Sequence, residues 1–333
     1  MKRVWGIVAA VALAGPAMAN DTAAQLAAGG LEFVRNDNIR MVSEDLYLSM
    51  EAVQVDYVFE NLSAADQHVL VAFPMPDLAN GWYEMIAVPT EDPENVFGFS
   101  TLFDGEPVEA TLHQYAFALG VDRTKELLKL GLPLAPHLWS TIEAIAALSA
   151  EDREELAALG LINSEVYYDG DAVVDAYYYP NWTLRSAYVW EAVFPADEIV
   201  SVSHSYMPSV GGTTGVTFLY EDGSTLDEYR ATYCLDDDIV STLRNSLSNP
   251  DEPWSAPYME NWLTYVLSTG ANWAGPIESF RLVVDKGSED NLVSFCGENV
   301  EKIGPTTFEM TAENFYPSGD IDLLFLVRYE PEF

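Results

Sequence analysis

The sequence predicts a mainly β protein of two β-sandwich-like domains that share a duplicated element, with a helical insertion between them. Three observations predict it. Apolar and polar residues alternate strictly through several short runs, the period changes to helical between residues 122 and 162, and a strand-turn-strand unit recurs 131 positions along the chain. The implied organisation is a signal peptide at 1–19, an N-terminal β domain at 20–121, the helical insertion at 122–162 and a C-terminal β domain at 163–333.

Taken in chain order, residues 1–19 pair a basic start (Lys2, Arg3) with a short apolar run from Val4 to Gly15 and end on Ala17-Met18-Ala19. That is the pattern of a secretory signal peptide, too short to span a bilayer comfortably, with cleavage expected between Ala19 and Asn20. No cysteine follows the cleavage point, which removes lipid anchoring there. Val53, Val55, Tyr57 and Phe59 then face one way while Gln54, Asp56 and Glu60 face the other, as in a half-buried strand. Val69, Val71 and Phe73 repeat the pattern up to Pro74-Met75-Pro76, and the polar stretch Ser63–Gln67 between the two strands reads as a hairpin turn.

The recurrence aligns Tyr57, Val58, Glu60, Ala65, Asp66, Val69 and Val71 with identical residues at Tyr188, Val189, Glu191, Ala196, Asp197, Val200 and Val202. Between the copies, Leu138, Ile142 and Ile145 share a helical face. Ser149-Ala150-Glu151-Asp152 has the form of a capping box, and Leu156 and Leu159 continue the stripe until Gly160 ends it. Further on, Val216, Phe218 and Tyr220 alternate into Asp222-Gly223, a hairpin signal with a return strand through Leu226–Tyr233. Trp262–Leu267, Phe280–Val284, Leu292–Phe295 and Ile321–Tyr329 read as further strands.

Composition narrows the function. The chain has 15 Lys and Arg against 53 Asp and Glu, a net charge of −38 that loss of Lys2 and Arg3 deepens. A surface so acidic repels nucleic acid and anionic lipid. No apolar run after the leader is long enough for a transmembrane anchor. Cys234 and Cys296, an even count in an oxidising compartment, are expected to form a disulfide.

Candidate sites are sparse. His204, within Ser203-His204-Ser205-Tyr206, has the chemistry of a general base beside hydroxyls, whereas His68, His113 and His137 are isolated. The acidic strings Asp236-Asp237-Asp238, Glu91-Asp92-Pro93-Glu94 and Asp169-Gly170-Asp171 offer oxygen ligands for calcium but lack EF-hand spacing. Gly211-Gly212-Thr213-Thr214-Gly215 has no lysine and no helix after it, so a turn explains it better than a phosphate cradle. Tyr177-Tyr178-Tyr179, with Trp182, Tyr188 and Trp190, suggests an aromatic platform or a buried interface. No motif for a catalytic residue, a cofactor or a metal ion is present.

Several strings together carry a family resemblance: Asn20-Asp21 through Gly29-Gly30-Leu31, Ser43-Glu44-Asp45-Leu46, Ala72-Phe73-Pro74-Met75-Pro76 and His204-Ser205-Tyr206-Met207-Pro208. The C-terminal part adds Thr269-Gly270-Ala271-Asn272-Trp273-Ala274-Gly275-Pro276-Ile277, Asp285-Lys286-Gly287 and Leu292-Val293-Ser294-Phe295-Cys296. The chain resembles exported bacterial proteins of the uncharacterised family called domain of unknown function four-four-two-four. The resemblance implies a periplasmic or extracellular location and brings no catalytic residues. The resulting expectation is a non-catalytic, exported, acidic protein that binds an envelope protein or glycan or supports an envelope assembly. The competing expectation is a hydrolase with carboxylates or His204 in a cleft between the β domains and the helical insertion.

Overall fold

The computed structural model describes residues 20–27, 30–79, 88–90, 92–169, 172–220 and 224–329. The chain opens with β1 (Thr22–Ala27), β2 (Gly30–Val34), β3 (Ile39–Leu48), β4 (Val53–Asn61), β5 (Gln67–Pro74) and β6 (Leu78–Ala79). It continues with β7 (Ser100–Phe103), β8 (Glu106–Val108), β9 (Thr111–Ala118) and β10 (Val121–Asp122), then the helices α1 (Thr124–Lys129), α2 (Trp139–Ala147) and α3 (Ala150–Ala158). There follow β11 (Ile162–Asp169), β12 (Ala172–Pro180), β13 (Thr183–Phe194), β14 (Ile199–Tyr206), β15 (Gly211–Thr213), α4 (Ser224–Tyr233) and α5 (Asp237–Asn245). The last strands are β16 (Tyr258–Tyr265), β17 (Ile277–Asp285), β18 (Leu292–Phe295), β19 (Glu301–Lys302), β20 (Thr307–Phe315) and β21 (Ile321–Arg328).

Two large sheets form the body, the first ordered β10-β9-β13-β5-β1-β2 with β6 on β13, the second β19-β20-β17-β3-β4-β14-β7-β8. A smaller third sheet runs β15-β16-β21-β18. Both large sheets draw strands from before and after the helical segment, so the stretches 20–121 and 163–333 share sheets instead of folding apart. The fold class is as expected, mainly β with packed sheets. Its division is not sequential, because β13 pairs with β5 and β14 with β4, across the helical segment.

That pairing corrects the expected hairpin. β4 and β5 do not pair with each other: β4 lies in the second sheet against β14, and β5 in the first against β13. Each of the two recurring strand-turn-strand stretches therefore crosses from one sheet to the other, and the two pair with each other. Tyr57 stands opposite Val202, whereas its counterpart Tyr188 stands opposite Phe73, two residues beyond the exact reciprocal of Val71. The physical reason is burial. A β-strand shows alternate residues to one face, and the apolar sets of both strands are satisfied together only when the sheets face each other. Val71, Phe73, Tyr188, Trp190 and Phe194 of the first sheet meet Val55, Tyr57, Phe59, Val200 and Val202 of the second in one core.

The third sheet is buried on both sides, which explains the near-continuous apolar run of β21. Leu323 and Phe325 enter the main core, while Leu324 and Leu326 pack with Leu226, Val240 and Leu243 of α4 and α5. Here the expected return strand at Leu226–Tyr233 is a helix, and Asp222-Gly223 lie outside the described residues. Leu226, Tyr229 and Tyr233 recur at helical spacing and close that second core. In the helical insertion Ser149 caps α3 as expected: its side chain accepts from the Asp152 backbone N–H and donates to the Asp152 carboxylate, and Gly160 closes the helix with positive φ. Leu127, Ile145 and Leu156 pack there against Trp182.

Cys234, just after α4, is bonded to Cys296 at the end of β18, with sulfurs 2.05 Å apart across a sequence separation of 62. Closing a loop of that length is worth about 4 kcal/mol in the chain-entropy account. Urea unfolding with and without dithiothreitol should show a loss of that order on reduction, and a C234S/C296S variant should reproduce it. Equal midpoints in both conditions would mean the crosslink adds nothing.

Candidate functional site

β14 carries His204 with its side chain between the sheets, 3% exposed, among Phe73, Phe99 and Trp190, whose ring centroids lie 4.8, 5.1 and 5.2 Å from the imidazole. Ser203 and Ser205 point the other way because strand residues alternate, and the Ser203 hydroxyl donates to Asp56. The serines therefore do not serve the histidine. Its partner is Asp21, with His204 Nε2 3.0 Å from Asp21 Oδ1 and both side chains sealed from solvent.

Around this pair lies a polar cluster built on the segment that begins the described chain. Asn20, Asp21 and Thr22 are each 0% exposed. Asn20 Nδ2 donates to the two carboxylate oxygens of Glu44 at 3.3 and 3.2 Å, and Asn20 Oδ1 accepts from the Tyr57 hydroxyl at 2.6 Å. The Tyr57 hydroxyl also lies 3.1 Å from that of Tyr265. The Thr269 hydroxyl donates to the Asn20 carbonyl at 2.7 Å, Trp273 Nε1 to the Asp21 carbonyl at 2.8 Å, and Asn272 Nδ2 to Thr22 Oγ1 at 2.9 Å. Buried polar groups persist when hydrogen-bonded, and nearly every atom here is. The exceptions are Asp21 Oδ2 and His204 Nδ1, which have no partner.

Burial dominates the electrostatics. It pushes the Glu44 carboxyl from 4.5 up to about 8, with Asp21 adding to the rise and the bonds from Asn20 and Tyr265 opposing it. Burial likewise raises Asp21, and His204 draws it back. The Tyr57 and Tyr265 hydroxyls are held well above their usual value by the same desolvation and stay protonated. The structure thus brings His204 together with two acids, as a hydrolase would require, but within a core that a substrate does not reach.

An open cleft of about 880 Å³ lies between the outer end of the second sheet and the disulfide. Phe315 borders it, its ring stacked at 4.5 Å on that of Phe280, which with Leu282 and Met310 lies buried behind the cleft wall. Glu298, Glu313 and Asp320 give its lining three acidic side chains, Tyr316 stands beside it 68% exposed, and the lining includes no lysine or arginine. Burial raises Asp320, while bonds from Ser268 lower it.

The other sequence candidates go elsewhere. Asp236 caps α5 by accepting from the Ile239 N–H at 2.7 Å, and Asp237 pairs with Arg230. Asp92 accepts from the Glu94 N–H, while Glu91, Gly170 and Asp171 lie outside the described residues. Among the described residues no group of three or more His, Cys, Asp or Glu is placed to hold a metal ion. Gly211–Thr213 is the edge strand beside β16, and the Tyr220 hydroxyl occupies the space a side chain at Gly215 would need. Of the aromatic group, Trp182, Tyr188 and Trp190 are core residues, and Tyr178 packs under the Arg153 guanidinium at 4.6 Å. His137 is held down to about 4 by burial, away from the other histidines.

A family model described as Domain of unknown function (DUF4424) matches residues 19–324. The chain belongs to this family. The DUF4424 match takes in the buried cluster from Asn20 onward and every residue that lines the cleft. No curated protein matches the chain. Among solved structures, a Legionella pneumophila protein described as a "putative nutrient binding protein" is similar at 16% identity and a TM-score of 0.45, covering 92% of this chain and 70% of its own. No helix among the described residues is long and apolar enough to cross a membrane.

Proposed function

We propose that this member of the DUF4424 family is an exported, non-catalytic binding protein whose ligand occupies the cleft beside the Cys234–Cys296 disulfide. The observation that carries this reading is the cleft's lining, the Phe315 and Tyr316 rings accompanied by Glu298, Glu313 and Asp320 with no basic residue. Such a site favours a ligand that joins an apolar or aromatic group to positive charge, such as a cationic segment of an envelope protein. An anionic ligand would meet three carboxylates and the field of a chain carrying 53 acids. Tyr316 offers a ring face for a cation. The titratable cluster around His204 is closed to solvent and serves the fold.

The test uses two tripeptides, lysyl-phenylalanyl-lysine and glutamyl-phenylalanyl-glutamate, with maltohexaose as a neutral glycan. A ligand that binds only the folded state raises the melting temperature. The cationic peptide should raise it and the acidic one should not. Glu313→Gln and Tyr316→Ala should each weaken the cationic peptide about tenfold by calorimetry, near 1.4 kcal/mol. A shift with maltohexaose alone, or one indifferent to both substitutions, would overturn the assignment.

A further inference from the structure

The hydrogen-bonding pattern around Asn20 bears on what cleavage of the leader does. Inside the protein, Glu44 and Asp21 are two sealed carboxyl groups, and the basic side chain among them, His204, bonds Asp21 and not Glu44. Glu44 is held instead by a neutral amide, the Asn20 side chain. An ionised Glu44 would therefore have no counter-charge within the cluster, and the buried Asp21 Oδ2 lacks a donor.

The missing group lies within the same residue. We propose that hydrolysis of the Ala19–Asn20 bond places the new α-ammonium of Asn20 inside the protein as the counter-charge of Glu44, which locks the N-terminal segment between the sheets. The reasoning rests on the expected cleavage site. Water adds across the amide, leaving a carboxylate on Ala19 and an amine on Asn20 that takes up a proton. One N–H donor becomes three, and a neutral nitrogen becomes a cation, a few bonds from the amide nitrogen that Glu44 already accepts from.

The segment is fixed on every side, so the ammonium has little freedom to leave. Thr269 holds the Asn20 carbonyl, Trp273 the Asp21 carbonyl and Tyr57 the Asn20 side chain. β1 then pairs through Ala23 with both Val34 of β2 and Val71 of β5. At Gly270 even a Cβ would come within 2.9 Å of Asn20 Nδ2, so the glycine is what lets the turn at Ser268–Asn272 close over the segment. That turn leads to the cleft, where the Ser268 N–H donates to Asp320. Maturation would thereby brace one wall of the proposed binding site. The DUF4424 match begins at residue 19, beside the expected cleavage point.

The experiment compares a chain starting at Asn20, released by a protease that leaves no extra residue, with one carrying a Gly-Ser extension before Asn20. Both are also made with Glu44→Gln. At pH 7 the extended chain should melt lower by about 5 °C, and Glu44→Gln should erase the difference. An extended chain that folds only after its extension is removed supports the proposal equally. In native protein, reductive methylation should label the exposed Lys125 rapidly and the Asn20 α-amine only after unfolding.

Equal melting temperatures, a difference that survives Glu44→Gln, or an α-amine that labels as fast as Lys125 would overturn the pairing. N-terminal sequencing of the exported full chain checks the cleavage itself: a start other than Asn20 would refute the maturation step. Failure of the tripeptide experiment with the pairing intact would count against the cleft reading alone.

Discussion

Raising the pH from about 4.5 to about 8 should destabilise a chain whose Asn20 nitrogen is still acylated, by on the order of 5 kcal/mol through Glu44 alone at about 1.4 kcal/mol per unit. The sign follows from proton binding. Glu44 ionises near 4.5 when unfolded but holds its proton to about 8 in the folded protein, so between those values the native state binds more protons. Its contribution is fully present below about 4.5 and is lost as pH rises through about 8. The groups facing Glu44 do not reverse this: Asp21 and the Tyr57 and Tyr265 hydroxyls are themselves raised by burial, and His204 is bonded to Asp21.

Urea unfolding at several pH values, with Glu44→Gln as reference, isolates the effect, since other raised acids such as Asp77 remain in both proteins. The wild-type slope should exceed that of Glu44→Gln in the extended chain. With a free Asn20 ammonium the excess should shrink, because a neighbouring cation favours the ionised carboxylate. Identical slopes in all forms would mean that Glu44 is ionised in the core regardless of its surroundings.

Much of the architecture was legible because strands announce their faces. The alternation at Val53–Phe59 and Val69–Phe73, the Ser149 cap and the Gly160 stop all stand where periodicity places them. What alternation does not encode is the partner. β4 and β5 read as a hairpin because their linker is short and polar, yet each buries its apolar face best in a different sheet. α4 was hidden by Asp222-Gly223, a strong hairpin signal, although Leu226, Tyr229 and Tyr233 keep helical spacing. Asp236-Asp237-Asp238 read as a source of oxygen ligands for calcium, when its first member is a helix cap.

The polar cluster was less legible still. Asn20 and Asp21 show in sequence as the residues after the expected cleavage site and the start of a family string, and nothing local marks them as core. Asp21 and His204 are separated by 183 positions, a distance over which single-sequence patterns carry no pairing information. One signal existed: Glu44 faces inward on β3, an acidic residue at a buried position. Such a residue asks for a partner, and in the fold that partner is the Asn20 side-chain amide.

Removing the imidazole with His204→Ala should cost about 3–5 kcal/mol, because it strands the Asp21 carboxyl in a dry interior and leaves a cavity among Phe73, Phe99 and Trp190. Asp21→Asn in the same background should recover part of that loss, since a neutral amide in place of the carboxylate removes the uncompensated charge. The two substitutions should therefore be strongly non-additive in a double-mutant cycle read by urea unfolding at pH 7. Ser203→Ala, on the opposite face of the same strand, should cost under about 1 kcal/mol, the worth of one exposed hydrogen bond to Asp56. Additive losses at positions 21 and 204 would mean the pair is not coupled. A His204→Ala protein that keeps its stability but loses a hydrolytic activity of the wild type would move His204 from the fold to the chemistry. The sealed geometry argues against that result, since His204 and Asp21 lie in contact with each other and with core aromatics, and an imidazole so enclosed transfers no proton to an external substrate.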